Sequence, residues 1–582
     1  MGDFFRGAHH IYACNSNFTS VGRDQIVHNF FAGEKNSALE ILKPVERSSA
    51  YVSPCAEGTR QWVFDQIDPW LQDIEAPNIL LLTGSPGAGK STIAWTLASK
   101  LQAEGHLGCD FFFKRDDITL SDPTTIWRSI AYNLARRNTE FADRVIENLE
   151  AGRVDPMRVD IDLHFEVLIK DPAAWVLKKR TDPQAQGRDV MRAHESAVGS
   201  LGYTGVTGRS TRIFPVVILD ALDECGSDPS QSTQRRIFMD TITKWLHLHP
   251  MFKLVITSRD QGLSPAFRNA CHRIILETGD LVSDQSNLDI HLFFEKRLAH
   301  IASQYPSLQS WPGEPIIKQL TACAAGLFIW AETVARFLEQ DDDSPDEQLK
   351  LVLGGNFHEE GLGNTIDKLY HQILHRSFKH SKPHVLDTFR KVLGAILLAK
   401  IPLHRHDLYH FLLGALENRS SIDFILNKLS TVISQSDTDR PIHIVHISFL
   451  EFMCDPTRCP EPFFINHNRH SQIIALACFR AMNTGLKFNI CQVETSYLPN
   501  DALDLAPRIK KAIPSHLSYS CLFGAEHLQA STFDGEILQE VKKFMYNQFL
   551  FWLEVLSLVK ETKTASRTLL LIREWSCVSA SD

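Results

Sequence analysis

The sequence lacks the features that mark several broad classes of protein. Its 582 residues carry a net charge of -9 and contain no block of basic residues, so the charge pattern gives no indication of a nucleic-acid-binding surface. The 12 cysteines are scattered along the chain, which excludes a small disulfide-stapled scaffold, and we interpret them as reduced thiols. We therefore expect a protein without a nucleic-acid partner.

Long apolar stretches are also missing. No uninterrupted run approaches the roughly 20 apolar residues that a membrane-spanning helix needs, and the nearest candidate, residues 549–559, contains Glu554. The N-terminus does not show a charged leader followed by an apolar run, which is the pattern of a secretory signal. These absences predict a cytoplasmic protein that does not bind membranes.

What the sequence does contain is an ordinary globular composition. Hydrophobic residues make up 44% of the chain and charged residues 22%, as in folded proteins and unlike disordered ones. Since domains usually have roughly 100–200 residues, the length predicts several domains, each with a sizeable core.

The most specific motif is a glycine-rich loop between a predicted strand and a predicted helix. The apolar run at 78–83 leads into the loop, and a helix-like pattern follows at 92–98. Such a loop points backbone N–H groups inward and forms an anion cradle at the N-terminus of the helix. We expect Lys90 to reach the β- and γ-phosphates of ATP or GTP and Ser91 to offer its hydroxyl to Mg²⁺. The predicted phosphate-binding residues are Gly84, Ser85, Pro86, Gly87, Ala88, Gly89, Lys90, Ser91 and Thr92.

A second apolar run, at 215–219, ends in acidic residues. Asp220 follows the run directly, and Asp223 and Glu224 come soon after. Ligands of open α/β sheets bind beyond the carboxyl ends of the strands, so Asp220 is expected to lie near the loop. There it would hold Mg²⁺ through the water molecules bound to the ion. Asp223 or Glu224 would orient or deprotonate the attacking water. Taken alone, an acid in this position is more often a turn or capping residue.

Two further runs complete a predicted four-stranded parallel core. One is Phe111 to Phe113, and the other, at 252–256, ends close to Arg259. Arg259 would sense the γ-phosphate as part of the catalytic set, and the alternative is an exposed arginine in a surface turn. Residues 169–212 are rich in Arg, Gly and Ser, and we expect a flexible insertion there.

Together, the loop at 84–92, the acidic segment at 219–225 and the strand end at 255–259 resemble the NACHT class of signal-transducing P-loop NTPases, the STAND class. More narrowly, the chain is similar to nephrocystin-like NACHT proteins of fungi. The resemblance continues through Cys55-Ala56-Glu57-Gly58-Thr59-Arg60 and through the segments at 325–331, 389–394, 446–452 and 551–558. It therefore covers most of the chain.

The resemblance implies an α/β fold with several regions. A P-loop NTPase parallel-sheet domain over 51–285 would follow a partly disordered N-terminal arm over 1–50. A helical bundle over 286–369, a winged-helix-like region over 370–470 and an all-α C-terminal region over 471–582 would come next. By the same likeness, His446 lies where related proteins place a winged-helix histidine against the diphosphate. The alternative is that His446 is a buried histidine that contributes only to packing.

For function, the resemblance implies a switch operated by ATP or GTP. It would hydrolyse nucleotide slowly, form a homo-oligomer when activated and recruit an effector protein, in fungal signalling or self/non-self defence. Two alternatives stay open, namely a nucleotide-binding scaffold that never hydrolyses and a P-loop phosphotransferase. The sequence does not distinguish ATP from GTP.

Overall fold

The computed structural model describes a large part of the chain. The described residues are 38–42, 44–45, 53–115, 117–181, 214–226, 231–260, 262–306, 308, 310–339, 344–354, 365–379, 381–412, 419–434, 441–494 and 505–578. Most of the expected N-terminal arm, and residues 182–212 of the expected insertion, lie outside them. None of the helices in the described residues is long and apolar enough to cross a membrane.

The strands form two sheets in the described residues. Their bounds are β1 Ile79–Gly84, β2 Leu107–Phe112, β3 Val216–Asp220, β4 Leu254–Ser258, β5 His272–Leu276, β6 Ile433–Ser434 and β7 His443–Ile444.

Helices account for most of the other elements. In the first half these are α1 Gln61–Gln72, α2 Lys90–Ala103, α3 Ile118–Ser121, α4 Ile126–Arg137, α5 Thr139–Glu150, α6 Ile161–Phe165, α7 Asp171–Thr181, α8 Ser232–Trp245 and α9 Pro265–Ala270. In the second half they are α10 Asp284–Ser303, α11 Glu314–Ala324, α12 Phe328–Leu338, α13 Pro345–Gly354, α14 Thr365–Phe378, α15 Pro383–Leu398, α16 Arg405–Leu412, α17 Arg419–Lys428, α18 Ile447–Met453, α19 His467–Gly485, α20 Leu505–Ala512, α21 Ser515–Gln529, α22 Gly535–Asn547, α23 Phe549–Leu558 and α24 Thr564–Val578.

The larger sheet is parallel throughout and has the strand order β2-β3-β4-β1-β5. β1 lies between β4 and β5, with Leu81 paired to Ile256 on one side and to Arg273 on the other. The apolar residues of β1, β3 and β4 are buried, as expected for interior strands of a parallel sheet whose two faces are both covered. The predicted α/β parallel-sheet fold is therefore confirmed, and most of the remaining described chain is helical.

Three details differ from the sequence prediction. The sheet has five strands, because the edge strand β5 was not predicted, and β2 begins at Leu107 rather than near Phe111. The insertion was expected from residue 169, whereas a π-helical turn at 166–170 and α7 continue regular structure as far as Thr181.

The chain divides into two compact units, and the first is helical. It comprises 1–46, 123–215 and 233–252. Trp127 lies at its centre, with its ring centroid 4.9 Å from that of Phe165 and 6.0 Å from that of Trp245, while its indole N–H donates to Thr241 at 2.9 Å. Buried aromatic packing of this kind, with the polar N–H satisfied, is an effective way to stabilise a helical core.

The second unit comprises 47–122, 216–232 and 253–582. It contains the parallel sheet and all the elements from α9 onward. One apolar cluster joins residues of α10 to α19, and a second joins residues of α19 to α24. β6 and β7 pair in antiparallel fashion, with Ile433 opposite Ile444, and α18 follows them directly. All the predicted site residues belong to this second unit.

Candidate functional site

The glycine-rich loop connects β1 to α2, and its glycines are required by its geometry. Gly87 has φ of +82° and Gly89 has φ of +95°, values that favour glycine because a Cβ is strained there. A Cβ on Gly87 would lie 2.1 Å from Cγ2 of Ile329, and one on Gly84 would lie 2.8 Å from the carbonyl oxygen of Leu276. The loop therefore turns tightly against both β5 and α12.

Lys90 is the first residue of α2 and lies across the loop. Its Nζ donates to the carbonyl oxygens of Gly84 at 2.8 Å and of Ser85 at 3.0 Å. Burial lowers the pKa of Lys90, while the carboxylates of Asp223 and Asp220 act in the opposite direction. The amine thus lies between the loop carbonyls and the acidic strand end.

Asp220, the last residue of β3, is 3% exposed and lies against the loop. Its Oδ1 accepts a hydrogen bond from the hydroxyl of Thr257 at 2.5 Å, and its carboxylate is also hydrogen-bonded to Ser91. Burial raises the pKa of Asp220, and the bonds from Thr257 and Ser91 oppose that rise. The two residues predicted to hold Mg²⁺ are therefore adjacent, and their oxygens are the donor type that Mg²⁺ takes.

No cluster of three or more His, Cys, Asp or Glu side chains that could hold a metal is found among the described residues. Mg²⁺ is commonly held by one or two protein oxygens together with substrate phosphates. Ser91 and Asp220 therefore suit the cation predicted for this site.

Asp223 and Arg259 form a close ion pair beside the loop. Asp223 Oδ1 accepts from the backbone N–H of Arg259 at 3.0 Å, and its Oδ2 lies 3.0 Å from Arg259 Nε. Arg259 Nη2 also donates to Glu451 Oε1 of α18 at 2.9 Å. Since the Arg259 side chain is only 21% exposed, it is not the exposed arginine of the alternative interpretation.

Glu224, the other predicted catalytic acid, ends a short 3-10 helix over Leu222–Glu224. This helix follows Ala221, whose φ of 55° turns the chain directly after β3. Glu224 Oε2 accepts a hydrogen bond from the backbone N–H of Arg115 at 3.0 Å. Both acids after β3 are therefore held by groups from neighbouring loops.

His446 caps the N-terminus of α18, and its ring lies close to the loop. Nδ1 accepts from the backbone N–H of Ser448 at 3.1 Å, and Cε1 is 3.8 Å from the position that a Cβ on Gly87 would take. Burial, followed by the charges of Lys90 and Arg259, lowers the pKa of His446 to about 4. The structure thus places this histidine beside the phosphate loop as a neutral ring.

These residues line one cavity of about 480 Å³ in the second unit, a size typical of small-molecule sites. The loop, the ends of β3 and β4, the start of α12 and residues 443–447 all contribute to its wall. Of the predicted residues, the cavity brings together Pro86, Gly87, Gly89, Lys90, Ser91, Thr92, Asp220, Asp223, Glu224, Arg259 and His446. The other predicted loop residues, Gly84, Ser85 and Ala88, are not part of its wall.

Arg60 is a cavity residue to which the sequence reasoning gave no role. Its Nη2 donates to the carbonyl oxygen of Ala88 in the loop at 2.7 Å, and Nη1 donates to Ser286 Oγ of α10 at 3.1 Å. Its backbone N–H donates to Asp289 at 2.9 Å, and its guanidinium lies 4.6 Å from the ring centroid of Phe328. The Gly58-Thr59-Arg60 segment, already part of the resemblance, was the signal available for it.

A model of a known family matches part of the chain. Residues 58–177 match the model described as "Nephrocystin 3, N-terminal". The matched range begins just before Arg60 and contains the phosphate loop, but it ends before β3. It agrees with the nephrocystin-like part of the resemblance. A search of curated proteins finds no match.

Solved structures give distant likenesses. A STAND protein with a tetratricopeptide repeat sensor from Pyrococcus horikoshii is 12% identical with a TM-score of 0.36, and the match covers 91% of this chain but only 66% of that protein. Cdc6p from Pyrobaculum aerophilum is 13% identical with a TM-score of 0.28, and the match covers 72% of this chain and 96% of that protein. The Aeropyrum pernix ORC2 protein, in ADPNP-ADP complexes, is 10% identical with a TM-score of 0.29, and the match covers 70% of this chain and 93% of that protein. TM-scores this low carry no argument about function, which depends on the geometry of the site.

Proposed function

We propose that this chain is a nucleotide-dependent molecular switch of the NACHT type within the STAND class, which binds and slowly hydrolyses ATP or GTP. The observation that carries the proposal is the cavity that the phosphate loop shares with residues 443–447. A ligand in this cavity would contact the loop at 84–92 and a segment that lies more than 350 residues later in the chain. Such a ligand would therefore influence how the two regions pack.

The residues at the sheet edge suit a phosphate ligand. The N–H groups at the start of α2 and the ammonium of Lys90 would hold the phosphates. Mg²⁺, when bound, would neutralise phosphate charge, and Ser91 and Asp220 would hold it. Asp223 or Glu224 would orient or deprotonate the attacking water, and Arg259 would respond to the γ-phosphate.

Arg259 connects this chemistry to α18. Its guanidinium lies between Asp223 and Glu451, so moving Arg259 toward a phosphate would loosen its contact with α18. Opposite charges favour the observed pairing, and an incoming phosphate would compete for the same cation. This competition is the physical basis that we propose for switching.

The later regions fit this interpretation. Residues 286–369 contain most of α10 and α11 to α13, together with the start of α14, and we assign them to a helical bundle. Residues 370–470 contain α15 to α18 with the β6–β7 pair, an order of helices and hairpin that supports a winged-helix-like module. α19 to α24 form the helical C-terminal region over 471–582. We further propose a cytoplasmic protein that forms a homo-oligomer when activated and signals to an effector protein in fungal defence, without membrane or nucleic-acid partners.

One observation favours the non-hydrolysing scaffold as a second candidate. Both oxygens of Asp223 contact Arg259, and Oε2 of Glu224 accepts from the N–H of Arg115, so both acids are engaged by protein groups in this conformation. In a scaffold these contacts would persist with triphosphate bound, whereas a switch would have to release one of them.

A single-turnover assay of phosphate release separates the two candidates. The proteins are wild type, Lys90→Ala, Glu224→Gln and a control, Lys100→Ala. Lys100 lies further along α2 than Lys90, and its replacement removes only an exposed ion pair with Asp68. The switch predicts slow release by wild type and the control, release abolished by Glu224→Gln, and a nucleotide affinity at least about tenfold lower for Lys90→Ala. Nucleotide bound without any release supports the scaffold, and no binding by wild type refutes both.

The copurifying nucleotide and the mass in solution test the remaining parts of the proposal. Chromatography of the released nucleotide decides between ATP and GTP. A larger mass with triphosphate than with diphosphate is expected for a switch that oligomerises, and an equal mass would contradict that step.

A further inference from the structure

A series of buried and part-buried hydrogen bonds runs from α14 to the histidine beside the phosphate loop. Tyr370 Oη lies 2.8 Å from Ser448 Oγ, and Ser448 Oγ lies 2.8 Å from His446 Nδ1. The backbone N–H of Ser448 also reaches Nδ1, at 3.1 Å. Tyr370 is 2% exposed and Ser448 5%, so solvent does not compete for these groups.

One of these contacts determines the direction of the others. A backbone N–H can only donate, so His446 Nδ1 must accept and carries no proton. Because Nδ1 accepts, the Ser448 hydroxyl must donate to it. The single hydroxyl proton of Ser448 is then in use, so Ser448 Oγ accepts from the hydroxyl of Tyr370. In a neutral imidazole the remaining proton must lie on Nε2.

Tyr370, the first residue in this series of hydrogen bonds, is held firmly. The Tyr370 ring contacts Phe449 at 5.1 Å and Phe452 at 5.6 Å between ring centroids. One turn earlier on α14, Asp367 accepts two hydrogen bonds from the guanidinium of Arg458, at 2.6 and 2.9 Å. A bidentate pair of this kind fixes geometry as well as charge. The phenol therefore has little freedom to turn away from Ser448.

The His446 ring also lies close to the loop. Cε1, which lies between the two nitrogens, is the ring atom near Gly87, and the ring lines the cavity. Lys90 and Arg259 already bring positive charge to this wall, and both oppose protonation of the imidazole. A third cation here would be costly, whereas a neutral ring still offers one N–H donor.

We infer that Ser448 and Tyr370 are positioning residues that hold His446 as the neutral tautomer protonated on Nε2, which makes it a hydrogen-bond donor to the phosphate oxygens of a nucleoside diphosphate. The inference rests on the proposed function for the identity of the ligand. The tautomer itself follows from the hydrogen bonds alone. Ser448 and Tyr370 touch no ligand and act through His446.

The tautomer is measured on nucleotide-free protein labelled with ¹⁵N-histidine, by long-range ¹H–¹⁵N correlation at pH 7. His446→Asn identifies the signal. We expect the Nε2–H pattern in wild type and in Ser448→Thr, which keeps the hydroxyl. Ser448→Ala keeps only the longer backbone N–H contact, at 3.1 Å, so its Nδ1–H population should be larger than that of wild type. An Nδ1–H or doubly protonated His446 in wild type would overturn the inference.

Binding of ADP and GDP is measured on the same proteins and on Tyr370→Phe. Loss of one buried hydrogen bond should weaken diphosphate binding by about two- to tenfold in Tyr370→Phe and Ser448→Ala, with Ser448→Thr close to wild type. The control Tyr409→Phe removes a phenol that bonds to Asp423 away from the cavity and should bind as wild type does. Variants that bind normally would refute the positioning role. An Nε2–H signal in a wild type that binds no nucleotide would refute the proposed function and leave the tautomer standing.

Discussion

At the scale of single residues, the buried guanidinium of Arg60 contacts several segments of the chain. It contacts the loop through Ala88 and α10 through Ser286, and it lies 3.7 Å from Asp289. Burial lowers the pKa of Arg60, and the carboxylate of Asp289 opposes that change. Because Arg60 and Asp289 are both buried, water cannot easily take the place of either partner if the other loses its contact.

Arg60→Ala should therefore be strongly destabilising. Removing one partner of a buried pair leaves the other charge uncompensated, which typically costs about 3–5 kcal/mol. The free energy of unfolding from urea titration measures the effect. Lys296→Ala, which removes an exposed pair with Glu57, is the matched control and should cost about 1 kcal/mol or less. Similar losses in both variants would contradict this account.

At the scale of elements, the loop depends on close contact between Gly87 and α12. The backbone N–H of Ile329 donates to the carbonyl oxygen of Gly87 at 3.1 Å, and the side chain of Ile329 fills the space where a Cβ would lie. The loop conformation is thus coupled to the first turn of a helix outside the sheet.

Gly87→Ala should lower nucleotide affinity by about tenfold or more, because the new Cβ combines an unfavourable φ with a clash that moves the loop or Ile329. Isothermal titration with ADP or GDP measures the change. Gly105→Ala is the control, since Gly105 has φ of +75° but no atom within 4 Å of its Cβ position, and it should lose some stability but no affinity. Adding Ile329→Ala to Gly87→Ala should recover part of the affinity, and a double variant no better than the single one would argue against the clash.

The elements that could be predicted from sequence are those with a strong local signal. β1, β3 and β4 are continuous apolar runs, and the loop follows one of them in the order strand, loop, helix. β5 was missed because it begins with His272 and Arg273 and alternates in burial, so its apolar run is short. α7 was taken for the start of an insertion because the segment was judged by its composition, although Ala173 and Val176 are buried.

The candidate site likewise contains some residues that could be predicted from local sequence and others that could not. The loop residues and Asp220 could be proposed from the motif and its flanking strands, because neighbouring strands bring their carboxyl ends together. Glu451 could not, since its contact with Arg259 spans 192 positions and depends on how α18 packs. His446 was found only through the family resemblance, and its protonation follows from Ser448, which no local pattern singles out.

At the scale of the whole molecule, several partly or fully buried histidines make stability depend on pH. Burial lowers the pKa of His443, His446 and His516 to about 4 and that of His527 to about 3, against about 6.5 in an unfolded chain. As pH falls below about 6.5, the unfolded state binds protons that the native state does not. The free energy of unfolding should therefore decrease from pH 7 to pH 5, by up to about 1.4 kcal/mol per pH unit for each histidine.

Urea unfolding at pH 7, 6 and 5 measures this slope. His527→Gln should flatten it, because the amide does not titrate and can still accept from the hydroxyl of Tyr519, which lies 2.7 Å from His527 Nε2. The exposed His384→Gln should leave the slope unchanged. Stability that is constant or increases toward pH 5 would contradict the prediction.

The strand order has a consequence for synthesis on the ribosome. β1 pairs only with β4 and β5, which lie at 254–258 and 272–276, although the loop that follows β1 begins at Gly84. The nascent chain therefore contains the complete phosphate-binding motif long before either neighbour of β1 exists. Until residue 258 has left the exit tunnel, β1 has no neighbouring strand to pair with, and under the proposed function nucleotide would first assist folding only after nearly half of the protein has been made.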